Sequence, residues 1–129
     1  MAHPRAAVAV LIVDDQSVYR ETMRAVVEAT PGLMVAAEAA CGEEALRALD
    51  DDGPQLAVVD VRMPGMDGIE VACALLERRP ELVVLLVSAQ PPPTERWPTD
   101  PRGGTLPFLA KEKLCPSALL EVWRAQGGD

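Results

Sequence analysis

Four apolar runs of this chain each end in a residue that can do chemistry. They are residues 8–13, followed by Asp14 and Asp15; residues 56–60, which end in Asp60; residues 82–87, followed by Ser88; and residues 106–110, followed by Lys111. Unbroken apolar runs bounded by turn residues are typical of strands buried on both faces of a parallel sheet. Such sheets bind ligands beyond the carboxyl ends of their strands. If the four runs are neighbouring strands, three carboxylates, a hydroxyl and an ammonium meet in one pocket.

Carboxylates crowded in this way need a compensating charge. Two of them about 4 Å apart repel by about 4 kcal/mol at an effective dielectric of 20, so a cation must bind or a pKa must rise. Mg²⁺ (or Mn²⁺) is the natural cation, because it prefers oxygen ligands. Together with the ammonium of Lys111 and the hydroxyl of Ser88, such an ion can hold a phosphoryl group. A carboxylate can itself be the nucleophile and form an aspartyl-phosphate.

The segments between the runs are predicted to be helices and one further strand. The predicted elements are a helix with Tyr19, Met23, Val26 and Val27 on its apolar face, a strand over 33–39, a helix over 42–49 closed by a turn at 50–54, a helix over about 69–79, and a last helix over about 116–125. Strands that alternate with helices form parallel sheets with helices on both faces. In the turn at 63–68, the glycines permit positive φ and the proline fixes the bend. The sequence therefore predicts a doubly wound α/β fold.

The segment 89–103 interrupts this alternation. It contains five prolines and a glycine where a helix is due, and an interior proline costs a helix about 3 kcal/mol. We therefore predict an irregular loop here, with at most a single helical turn at 94–97. The fourth helix of the fold is expected to be shortened or replaced by this proline-rich loop.

The overall composition excludes several classes of function. The net charge of −8 argues against binding a nucleic-acid backbone, which requires clustered Lys and Arg. His3 is the only histidine, so a zinc site or a Ser/His/Asp triad has no histidine to use. Cys41, Cys73 and Cys115 have no CxxC spacing and are expected to be free, buried thiols in a reducing compartment. No signal peptide or membrane-length run is present, which predicts a cytoplasmic protein without membrane contact.

The ordered set of motifs resembles the receiver domains of response regulators in two-component signalling. The resemblance covers the chain from Val8 to about Arg124, and the central motif is most similar to the NarL/LuxR-type subgroup. It rests on four motifs: Val13-Asp14-Asp15, residues 60–68 (DVRMPGMDG), Ser88-Ala89, and residues 108–111 (FLAK). It implies a flavodoxin-like (βα)5 fold with strand order 2-1-3-4-5. It further implies a signalling module, not an enzyme, apart from its own phosphorylation and dephosphorylation.

The resemblance also implies roles for the residues of the pocket. Asp60 would accept a phosphoryl group from the phosphohistidine of a sensor histidine kinase or phosphotransfer protein. Asp15, Asp60 and the backbone carbonyl of Arg62 would ligate Mg²⁺ directly, and Asp14 would act through a water molecule. Lys111 would pair with the phosphoryl oxygens.

Further roles concern the switch and access to the pocket. Ser88 would be the hydroxyl that moves to bind the phosphate, and Phe108 the aromatic residue that turns inward with it. Ala89 is small, as access of a phosphoryl donor requires. Arg62 and Gln90 would flank the pocket and set how fast water removes the phosphate.

Two departures from the family pattern affect the output. Pro107 stands where the family usually has glycine, and the usual readout helix is missing, so we expect a rebuilt partner surface with Trp97 as a candidate contact. No DNA-binding helix-turn-helix is present in residues 1–129. We therefore expect one stand-alone receiver domain that regulates an unknown downstream protein without binding nucleic acid, and a homodimer is left open.

Three other classes of protein share part of this pattern. A pseudo-receiver would bind a protein or ligand constitutively without phosphorylation of Asp60. A phosphatase that works through an aspartyl-phosphate would need a general acid two residues after Asp60, where Arg62 stands. A flavin-binding flavodoxin is disfavoured, because the loop after the first strand is acidic where a phosphate cradle needs donors.

Overall fold

A computed structural model describes residues 7–91 and 97–126 and contains one five-stranded parallel sheet. Its strands are β1 (Val8–Val13), β2 (Leu33–Ala39), β3 (Leu56–Asp60), β4 (Val83–Ser88) and β5 (Phe108–Ala110), in the order β2-β1-β3-β4-β5. Its helices are α1 (Ser17–Ala29), α2 (Gly42–Asp52), α3 (Gly68–Arg78) and α4 (Pro116–Ala125), and a 3-10 turn covers Lys111–Lys113. The predicted flavodoxin-like fold and strand order are confirmed.

The sheet separates two aliphatic cores. On one face, α2 and α3 pack against alternate residues of the central strands, such as Leu11, Val59 and Leu86. On the other face, α1 and α4 pack against the intervening residues, such as Ile12 and Val58. Every residue of β3 and β4 is buried, as expected for parallel strands covered on both faces. In the described residues, no helix is long and apolar enough to cross a bilayer.

The register of the strands brings their carboxyl ends together. Val13 lies opposite Val59, Asp60 lies opposite Val87, and Ser88 lies opposite Ala110. The residues that follow β1 and β5 therefore lie beside the ends of β3 and β4. The arrangement predicted for the polar residues at the four strand ends is present.

The start of α3 is held tightly against the end of β3. Asp67 caps the helix, and it forms a reciprocal capping box with Glu70. Gly68 was predicted to provide positive φ, but only Gly65 does so in this turn, with φ of 75°. The reason for Gly68 is close approach, because an ideal Cβ there would lie 1.9 Å from the carbonyl oxygen of Asp60.

The described part of the crossover between β4 and β5 contains no α-helix. Residues 97–106 instead form a narrow antiparallel loop, in which Thr99 bridges Thr105. Arg102 ties its tip to the amino end of β4, where the guanidinium donates to the carbonyl oxygens of Glu81 and Leu82. The prediction that an irregular segment replaces the helix is confirmed for these residues. The single turn predicted at 94–97 falls largely on 94–96, outside the described residues.

Several predicted boundaries shift by a few residues. The acidic run 50–52 belongs to the last turn of α2, where Asp50 pairs with Arg78, and Gly53 then ends the helix in the left-handed conformation. β5 is shorter than predicted, because the backbone N–H of Leu106 donates to Pro98 within the loop. Helix α4 has the predicted bounds.

The three cysteines are free but exposed, so the prediction that they are buried is wrong. Cys41 and Cys115 are the capping residues at the starts of α2 and α4, and Cys73 lies on α3 between inward-facing residues. These positions at helix starts and on an outer helix face explain their exposure.

Candidate functional site

The acidic pair occupies the turn between β1 and α1. Asp14 is fully buried, and its Oδ1 accepts a hydrogen bond from the backbone N–H of Gln16 at 3.0 Å. The guanidinium of Arg20, one turn into α1, donates to the backbone carbonyl of Asp14 at 2.7 Å. These two bonds fix the direction in which the Asp14 carboxylate points. Asp15 is half-buried beside it.

Asp60 lies at the centre of the pocket with only 4% of its surface exposed. The backbone N–H of Arg62 lies 3.4 Å from its Oδ1. Burial raises the pKa of Asp60, and the neighbouring charge of Asp14 raises it further, whereas the Lys111 ammonium opposes both effects. Any additional positive charge that enters the pocket therefore stabilises the ionised form of Asp60.

Lys111 provides the fixed cation of the site. Its Nζ lies 2.9 Å from Asp14 Oδ2 and 3.4 Å from Asp60 Oδ1. The same ammonium lies over the ring of Tyr19, 3.5 Å from the ring centroid. Lys111 thus bridges the ends of β1 and β3 from its own position just after β5.

The carboxylates fit a hard divalent cation. One oxygen each from Asp14, Asp15 and Asp60 lie within 4.8 Å of one another. Asp15 Oδ1 is buried and accepts no hydrogen bond from the described part of the chain, whereas the buried Asp14 Oδ2 faces the Lys111 ammonium at 2.9 Å. Buried oxygens without donors favour metal coordination, since a single ammonium cannot neutralise three carboxylates. Arg62, the predicted carbonyl ligand, lines the space beside Asp15.

A pocket of about 190 Å³ opens above Asp60. Its lining contains every residue predicted to bind, admit or modulate the phosphoryl group: Asp60, Arg62, Ser88, Ala89, Gln90 and Lys111, together with Gln16 and Tyr19. The Ser88 hydroxyl is buried and accepts a hydrogen bond from the N–H of Gln90 at 3.2 Å. The guanidinium of Arg62 extends along the rim and donates to the carbonyl of Pro91 at 3.1 Å.

Phe108 lies apart from this pocket. Its ring is half-buried against the core on the α2–α3 side, and it contacts Trp97 edge-on. The indole N–H of Trp97 donates to the carbonyl of Leu106 at 2.8 Å. Trp97, the candidate partner contact, is therefore itself a half-buried packing residue, and only the exposed part of its ring is free to contact a partner.

Tyr19, like Gln16, is a pocket residue that the sequence-based interpretation missed. Its place in the helical apolar pattern indicated a core position facing the sheet. The available signal was its distance from the acidic pair, since a residue in the first turn of α1 must lie close to the end of β1.

The comparisons with known proteins agree with this geometry. The response regulator receiver domain family matches residues 10–96, which is more than half of the chain. The transcriptional regulatory protein DegU of Brevibacillus brevis is 30% identical over 122 residues, which cover 92% of this chain and 50% of that protein. The positive alginate biosynthesis regulatory protein of Pseudomonas aeruginosa is 41% identical over 81 residues, which cover 62% of this chain and 33% of that protein.

Solved structures show the same fold. The signal receiver domain of the response regulator NarL from Mycobacterium tuberculosis superposes with a TM-score of 0.76 at 31% identity, covering 94% of this chain and 98% of that one. The response regulator domain of Thermotoga maritima CheB superposes with a TM-score of 0.74 at 22% identity, covering 95% and 98%.

Fold, site and sequence together define a two-component signalling module. The chain belongs to the response regulator receiver domain family. It spans half or less of the length of the two curated relatives described above.

Proposed function

We propose that this chain is a phosphoacceptor whose Asp60 receives a phosphoryl group from the phosphohistidine of a sensor histidine kinase or phosphotransfer protein. In this reaction an Asp60 carboxylate oxygen attacks phosphorus, the bond between phosphorus and the imidazole nitrogen breaks, and the electron pair of that bond stays on the imidazole. The product is a mixed anhydride on Asp60, and its new charge biases the domain toward a conformation that regulates a downstream protein. Such donors place the reaction in the cytoplasm.

The arrangement of charge around Asp60 is the observation that carries this proposal. Asp60 is buried between Asp14 and the Lys111 ammonium at the floor of a pocket large enough for a phosphoryl group. Lys111 opposes the rise in the pKa of Asp60, which keeps a nucleophilic carboxylate available. The same ammonium lies where it can bind the incoming phosphoryl oxygens.

The donor set of the site fits Mg²⁺ or Mn²⁺. Asp15, Asp60 and the carbonyl of Arg62 would hold the ion directly and Asp14 through water, and the ion would neutralise charge on the transferring phosphoryl group. The buried Asp15 Oδ1, which has no hydrogen-bond donor in the described part of the chain, supports this assignment.

The residues on the rim would control access and the switch. Ala89 adds little bulk above Asp60, and the buried Ser88 hydroxyl lies in the pocket lining, where it would bind the phosphate. Phosphorylation adds about −1.5 to −2 of charge and three acceptor oxygens, and couplings of this kind are about 1–3 kcal/mol. Arg62 and Gln90 at the mouth would set the rate at which water reaches the phosphate.

A pseudo-receiver that binds its partner without phosphorylation is the second candidate. The described part of the crossover between β4 and β5 contains no α-helix, and this favours it, because a helix there belongs to the usual readout surface. The complete set of pocket residues opposes it.

One experiment separates the two candidates. The protein is incubated with Mg²⁺ and acetyl phosphate, and intact-mass spectrometry measures the gain of one phosphoryl group. We expect the gain in wild type and in Asp51→Asn, which changes an exposed carboxylate, and its loss in Asp60→Ala. No gain in wild type, together with no response to beryllofluoride, would establish the pseudo-receiver instead.

A further inference from the structure

The Lys111 ammonium is enclosed on three sides. Asp14 and Asp60 face it at 2.9 and 3.4 Å, and the ring of Tyr19 covers it at 3.5 Å from the centroid. Both carboxylates would interact with an incoming metal ion, so their pull on the ammonium changes when the site is loaded. The ring of Tyr19 carries no charge, so its contact with the ammonium does not change when the site is loaded.

A cavity of about 280 Å³ lies next to this arrangement, and Asp60 is not part of its lining. Its lining includes Tyr19, Thr22, Leu114 and the acidic Glu112, besides Lys111 itself. A lysine side chain has many rotamers, and a carboxylate in the neighbouring cavity offers it another partner. A further contact is therefore needed to keep the Lys111 ammonium close to Asp60.

The ring of Tyr19 is well placed to hold the Lys111 ammonium close to Asp60. It stands in the first turn of α1, where the backbone N–H groups of Tyr19 and Arg20 both donate to the carbonyl of Gln16. Arg20 also donates to the carbonyl of Asp14, so the ring and the acidic pair are held in one rigid unit. An ammonium over an aromatic face is attracted by the ring quadrupole, which an aliphatic side chain of similar size cannot provide.

We propose that Tyr19 is a positioning residue that holds the Lys111 ammonium over Asp60 by a cation–π contact while its carboxylate partners engage a metal ion. The proposal rests on the phosphoacceptor function. In the loaded site, Lys111 exchanges its contacts with the carboxylates for the phosphoryl oxygens and keeps its contact with the ring.

The first test compares Tyr19→Phe, which keeps the ring, with Tyr19→Leu, which keeps an apolar side chain. Thr22→Val is the matched control, because it changes the same cavity wall one turn further along α1. With Mg²⁺ and acetyl phosphate, we expect Phe and the control to be phosphorylated at the wild-type rate and Leu to be about 3- to 10-fold slower, the range of one cation–π contact.

The use of a small donor separates positioning from partner docking. If Tyr19 served only to dock a protein donor, Tyr19→Leu would react with acetyl phosphate at the wild-type rate, and the proposal would be overturned. Equal slowing in the Phe and Leu variants would overturn it as well, because the ring would then not be the operative group.

The second test observes Lys111 directly and does not depend on phosphorylation. The chain has only two lysines, Lys111 and Lys113, so ¹³C-labelled lysine gives two ε-methylene signals, which Lys113→Arg assigns. We expect the Lys111 protons to be shifted upfield by the ring in wild type and Tyr19→Phe, and the shift to be lost in Tyr19→Leu. An unshifted Lys111 signal in wild type overturns the proposal. A shifted signal in a wild-type protein that acetyl phosphate does not modify overturns the phosphoacceptor function and leaves the contact itself intact.

Discussion

Trp97 packs edge-on against Phe108, with ring centroids 5.6 Å apart and ring planes at 81°. This is a favourable geometry for an aromatic pair. Trp97 also joins the core on the α2–α3 side, and its indole N–H is bonded to the carbonyl of Leu106. In this chain, a tryptophan from the irregular crossover therefore covers the part of the core next to β5.

Replacing Trp97 should destabilise the whole domain. Trp97→Ala removes a large half-buried ring and leaves the Leu106 carbonyl without its donor, and we expect a loss of about 2–3 kcal/mol in the free energy of unfolding. Trp97→Phe keeps most of the ring contact and should lose about 1 kcal/mol. Urea denaturation measures both losses. Identical midpoints for Trp97→Ala and wild type would show that the crossover contributes nothing to the core.

The fluorescence of Trp97, the aromatic neighbour of Phe108, allows a test of the proposed switch role of Phe108. In a Trp123→Phe variant, Trp97 is the only tryptophan left and reports on its aromatic neighbour. If Phe108 turns when the site is loaded, Mg²⁺ with beryllofluoride should shift or quench the Trp97 emission, and Asp60→Asn should abolish the change. An unchanged spectrum in a protein that intact-mass analysis shows to be phosphorylatable would assign Phe108 to packing alone.

Removing the charge of Asp60 should stabilise the metal-free protein. Burial raises the pKa of Asp60 above its value in the unfolded chain, so stability is lost as the pH rises from the unfolded pKa through the raised folded pKa, and the full penalty is present above the latter. In EDTA at pH 7, we expect Asp60→Asn to gain about 1 kcal/mol, or about 3–5 °C in Tm. The difference should shrink as the pH falls through the pKa of Asp60, because the protonated acid is uncharged like asparagine. A difference that grows in acid would contradict this explanation.

Metal binding should also stabilise the protein. Mg²⁺ that binds only the folded protein stabilises it by about 1.4 kcal/mol at ten times its dissociation constant. We expect Mg²⁺ to raise the Tm of wild type, and EDTA to reverse the rise. Asp15→Asn should lose the response, whereas Asp51→Asn, in the exposed acidic run at the end of α2, should keep it. A response lost in the Asp51 variant would place the ion at that run.

Two glycines that begin helices provide a test of backbone packing. Gly68→Ala places a Cβ against the backbone carbonyl of Asp60, which cannot move aside without shifting β3 or α3. We expect it to destabilise the fold by about 2 kcal/mol or more, despite the gain of about 1 kcal/mol that alanine has over glycine in a helix. Gly42→Ala is the matched control, since its Cβ meets mainly the flexible side chain of Met66. Equal thermal stability of the two variants would contradict the close-approach explanation.

The parts of the fold that could be predicted are those set by local pattern. The apolar runs predicted the parallel sheet. Because parallel strands align their carboxyl ends, the charged residues at the ends of these runs were expected to meet, and they do: Asp14, Asp15, Asp60 and Lys111. The prolines between β4 and β5 predicted that no regular helix forms there, which holds for the described residues, because proline lacks the amide hydrogen that a helix requires.

The remaining features depend on contacts between distant residues. Tyr19 follows the same apolar spacing as Met23 and Val27, so nothing local separates a ring that faces an ammonium from one that faces the core. Gly68 was assigned to backbone flexibility because its contact with the Asp60 carbonyl exists only once α3 has packed on β3. The tether of Arg102 to the amino end of β4 likewise joins segments 20 residues apart in sequence.

The shortness of β5 has a consequence for signalling. The strand has three residues, pairs only with β4 and is followed at once by Lys111. A local opening at this sheet margin would withdraw the ammonium from Asp60 without unfolding the rest of the domain. If Asp60 is phosphorylated as proposed, substitutions far from the pocket, at the Trp97 or Arg102 anchors, would change how long the domain retains the phosphate while leaving every pocket residue unchanged.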